Sequence, residues 1–145
     1  MKQYDPKQVS IIVGGVPLSG FADGTFIRVG RRSPAWDLVV GTDGEGTRAK
    51  SNDKSGYFEF DLMQSSVSNQ TLSALSLTDE LTNTGVVPVL VKDGSGASLH
   101  TAEQAFVEKN PDSEYARVAG PRTWRLLTDN LIDFLGGNQD AGTAI

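Results

Sequence analysis

The sequence predicts a mainly β fold, a β-sandwich or barrel subunit with one short flanking helix and one long hairpin loop. Two patterns predict it. Apolar residues recur at every second position in several short runs, as in half-buried strands, and Asp-Gly pairs that favour tight turns separate the runs. A chain of 145 residues is long enough to form one domain that buries about 70% of its unfolded surface. We expect residues 1–138 to form this domain and residues 139–145 to form a flexible C-terminal tail.

The alternation is clearest over residues 57–62. Successive side chains of a strand point to opposite sides, so Phe58, Phe60 and Leu62 share one face while Glu59 and Asp61 share the other. Residues 124–126 and 132–134 alternate in the same way. The same period predicts three further apolar faces: Ile27 with Val29; Trp36, Leu38 and Val40; and Val87, Val89 and Val91.

Two segments combine features that favour different structures. The run around Val89 is almost wholly apolar, which predicts burial on both sides. Pro88 has no N–H to donate, so its side of this run is expected at an edge or a bulge. Residues 101–109 are ambiguous, because a possible capping box favours a helix whereas the flanking Gly-rich turn and Asn110-Pro111 favour a strand. We take this segment as a strand.

One helix is predicted after the strand at residues 57–62. Ser66 or Ser68 can cap its first turn, and Leu72 and Leu75 stand three residues apart on one side. The apolar stripe is narrow and rich in serine, which predicts a helix lying on a sheet.

Glycine has two roles in this chain. Asp23-Gly24, Asp43-Gly44 and Asp93-Gly94 each lie beside an extended segment, where Asp-Gly favours tight turns. Residues 41–56 contain four glycines, three acidic and three basic residues, and almost nothing that could enter a core. We expect a long, polar, solvent-facing loop there. Such loops are uncommon in compact domains and are usually functional or disordered.

The net charge of −5 argues against a protein that grips nucleic acid, because such proteins gather basic residues around phosphates. Residues 1–50 carry seven basic and five acidic side chains, whereas residues 51–145 carry six and thirteen. This asymmetry permits a charge-patterned assembly. Arg28, Arg31 and Arg32 form a small basic cluster without interleaved aromatics, which favours a solvated face or a subunit contact.

Several classes of protein are excluded by composition. The absence of cysteine excludes a disulfide framework, a thiol nucleophile and a thiolate zinc site. No apolar run approaches the roughly 18 residues that span a bilayer. No signal-peptide core follows the first residues, so we expect a soluble, unprocessed chain.

Candidate catalytic and metal-binding residues are few. Glu59 and Asp61 lie about 6–7 Å apart on one strand face, a spacing that a hydrolase could use, although any amphipathic strand has the same alternation. Asp43 and Glu45 could hold a hard cation, but the rest of a calcium loop is missing. His100 has no partner histidine or cysteine. We therefore expect no catalytic, metal or cofactor site.

Several motifs follow one another in a specific order along residues 20–138. The Asp23-Gly24 turn comes first, followed by residues 36–44 leading into the polar loop, then Gly56-Tyr57-Phe58-Glu59-Phe60, and Ser66 to Leu72 at the start of the helix. The later motifs are residues 88–96, residues 106–112, and Trp124 leading to residues 134–138. In this order the chain resembles the tail-tube proteins of contractile-tailed bacteriophages.

The resemblance implies a subunit that forms hexameric rings, stacked into the inner tube of a contractile tail as a conduit for DNA ejection. A head-to-tail interface that closes gives a ring, and repeated stacking gives a filament. The implied partners are the subunit itself, the tail sheath protein, the baseplate hub or initiator, the tape-measure protein in the lumen, the tail terminator and DNA in transient, non-specific passage. No cofactor and no membrane anchor are implied. The implied location is the virion tail, with the host cytoplasm during assembly.

The resemblance also implies two contact regions. Residues 21–63 would supply hairpins that line the channel, with Glu59 and Asp61 as candidates for an acidic lumen that repels phosphates. The polar loop would contact the adjacent subunit or ring. Its candidate residues are Thr42, Asp43, Gly44, Glu45, Gly46, Thr47, Arg48 and Lys50.

Two other functions stay open at this point. The tube of a phage-derived injection system, such as a tailocin or a type VI secretion tube, shares the fold but delivers protein. A small β-sandwich hydrolase that uses Glu59 and Asp61 belongs to a different class. Replacing these residues by Gln and Asn would abolish a hydrolase and leave a tube intact.

Overall fold

A computed structural model describes residues 1–24 and 26–138, and the predicted tail at residues 139–145 lies outside this part of the chain. A 3-10 turn (Pro6–Gln8) precedes the first strand, and the helix α1 spans Ser68–Thr82. The strands are β1 (Val9–Val13), β2 (Val16–Pro17), β3 (Ile27–Arg31), β4 (Trp36–Val40), β5 (Gly46–Lys50), β6 (Gly56–Met63), β7 (Val87–Asp93), β8 (Leu99–Lys109), β9 (Pro121–Thr128) and β10 (Ile132–Phe134). Within the described residues, no helix has the length and hydropathy that crossing a bilayer requires.

The strands form one antiparallel sheet in the order β2-β1-β7-β8-β9-β6-β3, with β10 paired to β8, and a separate pair, β4 and β5. A cleft of about 560 Å³ is lined by Ile27 and Val29 from one end of this order and by Val9 and Val91 from near the other. The sheet therefore curls so that its ends approach each other. The predicted mainly β fold is confirmed.

The core lies on the inner face of the curled sheet. Phe58, Phe60 and Leu62 of β6 are fully buried, and Trp124 and Leu126 stand opposite Phe60 and Phe58 on β9. Ile27 and Val29 of β3 pack against this cluster from its margin. The predicted inner face of residues 57–62 is confirmed, and the period of two that predicted it is the period of side-chain direction along a strand.

The helix α1 closes the core from one side. Leu72 is fully buried in the main apolar cluster. Two polar contacts fix the first turn of the helix: Trp124 Nε1–H donates to Asn69 Oδ1 at 2.9 Å, and the Ser19 N–H donates to Ser68 Oγ at 2.9 Å. The prediction of a helix lying on a sheet agrees with this placement.

The predicted serine cap of α1 needs correction. The N-cap position is Val67, and it makes no side-chain cap hydrogen bond. Ser68 is already helical and its hydroxyl accepts from Ser19, whereas Ser66 Oγ accepts from the Ser68 N–H at 3.2 Å. Of the two serines proposed as caps, Ser66 therefore accepts from the first helical N–H although it is not at the N-cap position, whereas the Ser68 hydroxyl is used in the tertiary contact with Ser19.

The predictions for β7 and β8 are met in part. The ambiguous segment at residues 101–109 lies within the strand β8, as predicted. The register of β7 against β8 shifts between Val87 and Val89, which agrees with the irregularity predicted at Pro88. The prediction of burial on both sides was wrong. Val89 and Val91 are buried, but Pro88 is exposed and Leu90 is half-buried, because no element of the described residues fully covers the outer face of β7.

Candidate assembly surface

The strands β4 and β5 continue the ladder of β3 and β6 beyond the main sheet. The Arg32 N–H donates to the Ser55 carbonyl at 3.0 Å, and the Ser51 N–H donates to the Ala35 carbonyl at 2.8 Å. Between these two bonds the regular pairing breaks, so β4 and β5 form a sheet of their own. Every residue of both strands is exposed. Residues 36–50, called the hairpin below, therefore extend away from the core.

The hairpin revises the predicted long loop. Gly46–Lys50 forms β5, paired to β4 with Thr47 opposite Val39 and Arg48 opposite Leu38. Of the eight loop residues proposed as an assembly contact, Thr42, Asp43, Gly44 and Glu45 lie in the turn, and Gly46, Thr47, Arg48 and Lys50 lie on β5. The segment lacks core residues, as predicted, but cross-strand hydrogen bonds order it without a core.

The turn at the tip is short and uses its acidic side chain locally. The Gly44 N–H donates to the Gly41 carbonyl at 3.0 Å, and the Gly41 N–H donates to the Glu45 carbonyl at 2.9 Å. Gly44 has φ +86°, a conformation that glycine adopts without steric cost. Asp43 Oδ1 accepts from the Glu45 N–H at 3.1 Å. The Asp43-Gly44 pair therefore builds a hairpin turn, as predicted.

The two faces of the hairpin differ in charge. Trp36, Leu38 and Val40 share one face with Lys50 and Arg48, which stand opposite Trp36 and Leu38 on β5. The Arg48 guanidinium lies 3.9 Å from the centre of the Trp36 ring, within the range of a cation-π interaction. We call this the basic face of the hairpin.

The opposite face of the hairpin is shorter and carries an acid. Val39 lies on this face together with Asp37, Thr47 and Ala49. Val39 is exposed, as are the three large apolar residues of the basic face. Both faces of β4 therefore present apolar surface to solvent.

The prediction that Trp36, Leu38 and Val40 form a half-buried face was wrong. Leu38 is 71% exposed, so the part of the chain that the structure describes leaves most of it open. Sequence reasoning missed the exposure of these residues, because a strand face that packs on a core and one that the core leaves open can have the same alternation. Val39 is the signal that could have distinguished the two kinds of face. It makes β4 apolar on both faces while the partner strand β5 is polar, and such a pair does not suit the edge of a core.

Asp53 organises the bend at the base of the hairpin. Its Oδ1 accepts from the Ser55 hydroxyl at 2.6 Å and from the Ser55 N–H at 3.0 Å, and its Oδ2 accepts from the Ser33 hydroxyl at 3.1 Å. These bonds, led by the Ser55 hydroxyl, hold the pKa of the Asp53 carboxyl below its ordinary value. Asp53 thus joins the two segments that enter and leave the hairpin, through Ser33 and Ser55.

Replacing Ser55 by alanine should raise the pKa of Asp53 towards the ordinary value of about 3.9. Because the folded pKa is depressed, the stabilisation from Asp53 is present above the unfolded pKa and is lost as the pH falls through the folded pKa. NMR titration of the Asp53 carboxyl carbon measures this shift. Ser51→Ala is the matched control, since the Ser51 hydroxyl accepts from the Asp53 N–H and donates nothing to its carboxylate. Equal pKa values in the wild type and Ser55→Ala would contradict the assignment.

Glu59 and Asp61 lie on the outer face of β6, as predicted, where both pair with Arg28 of β3. The Arg28 guanidinium is 2.8 Å from Glu59 Oε1 and 3.1 Å from Asp61 Oδ1. The Thr123 hydroxyl of β9 also donates to Asp61 Oδ1, at 2.7 Å. Two carboxylates that share a guanidinium form a structural ion-pair network, so this face of the sheet is polar and the network keeps one net negative charge.

The remaining sequence candidates have local roles. The Arg31 guanidinium donates to the Leu131 carbonyl at 2.9 Å, so the predicted basic cluster is divided between contacts inside the subunit. His100 Nδ1 lies 2.6 Å from Asp133 Oδ1 and joins β8 to β10. Among residues 1–24 and 26–138, no three His, Asp or Glu side chains gather into a group that could hold a metal ion.

The chain is similar in sequence to a phage protein and similar in fold to several solved structures. No family model matches the chain. The chain is 28% identical over 149 residues to structural protein ORF10 of Pseudomonas phage KPP10, an alignment that covers 97% of this chain and 86% of the relative.

Solved structures with this fold come from contractile injection systems. The sheath/tube terminator of an extracellular contractile injection system, PVC, matches with a TM-score of 0.60 at 9% identity over 93% of this chain and 99% of that chain. The tube-terminating cap of the anti-feeding prophage matches with a TM-score of 0.59 at 8% identity, covering 92% of each chain. A chain of the PVC sheath-tube complex matches with a TM-score of 0.59 at 10% identity, covering 91% of each chain. At these identities the likeness shows the fold.

The chain is therefore similar in sequence to a phage structural protein, and it has the fold of a contractile-system component. The predicted resemblance to contractile-tail proteins is confirmed at this level.

Proposed function

We propose that this chain is a virion structural protein that forms the inner tail tube as stacked hexameric rings, and that its mechanism is assembly without catalysis. The hairpin is the observation that carries the proposal. Trp36, Leu38, Val39 and Val40 are all exposed on an ordered hairpin that contributes nothing to the core. Exposed apolar surface of this kind marks an interaction site. The sequence similarity to a phage structural protein supports the location in a virion tail.

In this proposal the tube is a conduit for DNA. The outer face of β6, with Glu59 and Asp61, lines the channel, and the pairing of both carboxylates with Arg28 leaves few free cations there to hold phosphate. The partners are further copies of the chain, the tail sheath, the baseplate hub or initiator, the tape-measure protein in the lumen and the tail terminator. Assembly takes place in the host cytoplasm.

The second candidate function is a terminator that caps the end of the tail. Two of the structural likenesses favour it, because they are to a sheath/tube terminator and to a tube-terminating cap. The two functions differ in copy number and position. A tube protein occupies the whole length of the tail in many rings, whereas a terminator occupies one end.

Immunogold electron microscopy of virions with contracted sheaths tests both functions. A tube protein should be labelled along the whole exposed tube, and a terminator should be labelled at one end only. Electron microscopy of the purified chain, alone and with the baseplate initiator, tests assembly directly. Discrete monomers under both conditions, together with absence of the chain from purified virions, would overturn the tube.

The gene neighbourhood separates a phage tail from an injection system that delivers protein. A sheath gene just before this gene and a tape-measure gene after it, within a cluster that encodes a capsid, indicates a phage. The same order without capsid genes indicates a tailocin or a type VI-like system.

A further inference from the structure

The helix α1 packs on the core through Leu72 and Leu75, but it also exposes two leucines on its other side. Ser68 and Ser76 are buried, with 5% and 8% of their surface exposed, whereas Leu77 and Leu81 are 57% and 75% exposed. With about 3.6 residues per turn, Ala74, Leu77 and Leu81 fall on one line on the side opposite the serines. We call these three residues the outer stripe. A helix that only packed on its own core would direct Leu77 and Leu81 inward as well.

The charges beside the outer stripe are acidic. The sequence of α1 contains Asp79 and Glu80 and no lysine or arginine. Asp79 Oδ1 accepts from the Gly85 N–H at 3.1 Å, so this carboxylate binds the backbone just after the end of the helix. Glu80 is exposed next to Leu81, and it has no ion-pair partner in the described part of the chain.

The basic face of the hairpin complements this surface. It presents Trp36, Leu38 and Val40 beside Arg48 and Lys50, and neither cation forms an ion pair with any described residue. Stacking on Trp36 holds the Arg48 guanidinium in place. One surface is apolar with free cations and the other is apolar with a free anion. Their contact would bury both apolar areas and pair their charges.

The two surfaces also match in length. Trp36 to Val40 spans about 13 Å along a strand at about 3.3 Å per residue. Ala74 to Leu81 spans about 10–11 Å along a helix at 1.5 Å per residue. Three apolar side chains on the strand can therefore lie along three on the helix.

Both surfaces are exposed in the subunit, so they can be buried together only by two copies. Because they are different patches, the contact is heterologous, and each copy that receives a hairpin still offers its own to the next. Heterologous contacts build rings or filaments. We propose that the basic face of the hairpin of one copy docks on the outer stripe of α1 of a second copy, with Arg48 pairing with Glu80. This inference rests on the proposed function, because it names the receptor of the hairpin in the assembly.

Disulfide trapping tests the contact, since the natural chain has no cysteine to interfere. Leu38→Cys and Leu77→Cys are introduced into separate chains, which are mixed at high concentration and oxidised. The control pairs Leu38→Cys with Phe134→Cys, which is similarly exposed at 62% but lies on β10. We expect at least about tenfold more mixed dimer from the first pair, equivalent to about 1.4 kcal/mol of preference. Equal yields from the two pairs would overturn the proposal.

Charge reversal tests the pairing of Arg48 with Glu80 in the same assay. Adding Arg48→Glu to the Leu38→Cys chain should lower the yield of mixed dimer about tenfold, because like charges then meet. Adding Glu80→Arg to the Leu77→Cys chain should restore most of that yield. If Glu80→Arg does not restore the yield of mixed dimer, the proposed pairing of Arg48 with Glu80 is wrong. All four positions are exposed, and circular dichroism checks that each variant is folded.

The outcomes separate this inference from the proposed function. Tubes seen by electron microscopy, together with equal yields from both cysteine pairs, would leave the function standing and overturn the contact. A specific disulfide in a chain that is absent from virions would leave the contact standing and overturn the function.

Discussion

Replacing Phe60 by alanine should lower the free energy of unfolding by about 3–5 kcal/mol. Phe60 is fully buried at the centre of β6, between Ile27 on β3 and Trp124 on β9. Its removal leaves a cavity that strands paired on both sides cannot close. Since domains of this kind are stable by about 5–15 kcal/mol, the variant should be close to unfolding at room temperature. Urea denaturation followed by circular dichroism measures the change.

Met63→Ala is the matched control for Phe60→Ala. Met63 lies on the same strand but is exposed, so its truncation should change the free energy of unfolding by less than about 0.5 kcal/mol. A loss at Phe60 no larger than the loss at Met63 would contradict the placement of Phe60 in the core.

Removal of the hairpin should abolish assembly and leave the subunit folded. The Ser51 N–H already donates to the Ala35 carbonyl at 2.8 Å, so an Asn-Gly turn can replace residues 36–50 between these two residues. No residue of β4 or β5 is buried, so the free energy of unfolding should change by less than about 1 kcal/mol. Thermal unfolding measures folding, and sedimentation with electron microscopy measures assembly. Tubes of normal length from the shortened chain would contradict an assembly role for the hairpin.

A second variant separates the hairpin side chains from its backbone. Changing Leu38, Val39 and Val40 to threonine keeps the preference for a strand but removes the apolar surface. Assembly should fail in this variant as well. Tyr115→Ser with Val118→Ser is the control, because it removes two large apolar side chains that are equally open to solvent on the loop between β8 and β9. The control should assemble normally.

The β strands of the core could be predicted because their signal is local. The alternation of Phe58, Phe60 and Leu62 with Glu59 and Asp61 follows from the period of side-chain direction, which every strand shares. The bulge at Pro88 could be predicted because a residue without an N–H cannot complete a ladder. The turn at Asp43-Gly44 could be predicted because it needs a residue that accepts positive φ.

The exposed surface proposed for assembly could be predicted only in part. The sequence predicted a contact segment at residues 41–56, and four of its eight proposed contact residues lie on β5 of the hairpin. It assigned Trp36, Leu38 and Val40 to a half-buried face, because apolar alternation does not record which partner covers a face. The outer stripe of α1 was missed for the same reason, since Leu72 and Leu77 have the same chemistry and differ only in what packs against them.

The sequence by itself determined where most strands of the core, the Asp43-Gly44 turn and the helix lie, since these depend on chain geometry, side-chain period and the special backbones of glycine and proline. It did not predict β1, β2 or β5. The chain order of motifs also indicated a contractile-tail protein. Only the tertiary structure decided which apolar faces are inside, because burial depends on the distant strand or helix that covers a face. It placed Arg28 between Glu59 and Asp61, turned Leu77 and Leu81 of α1 outward, and left the hairpin uncovered by the described residues of its own subunit.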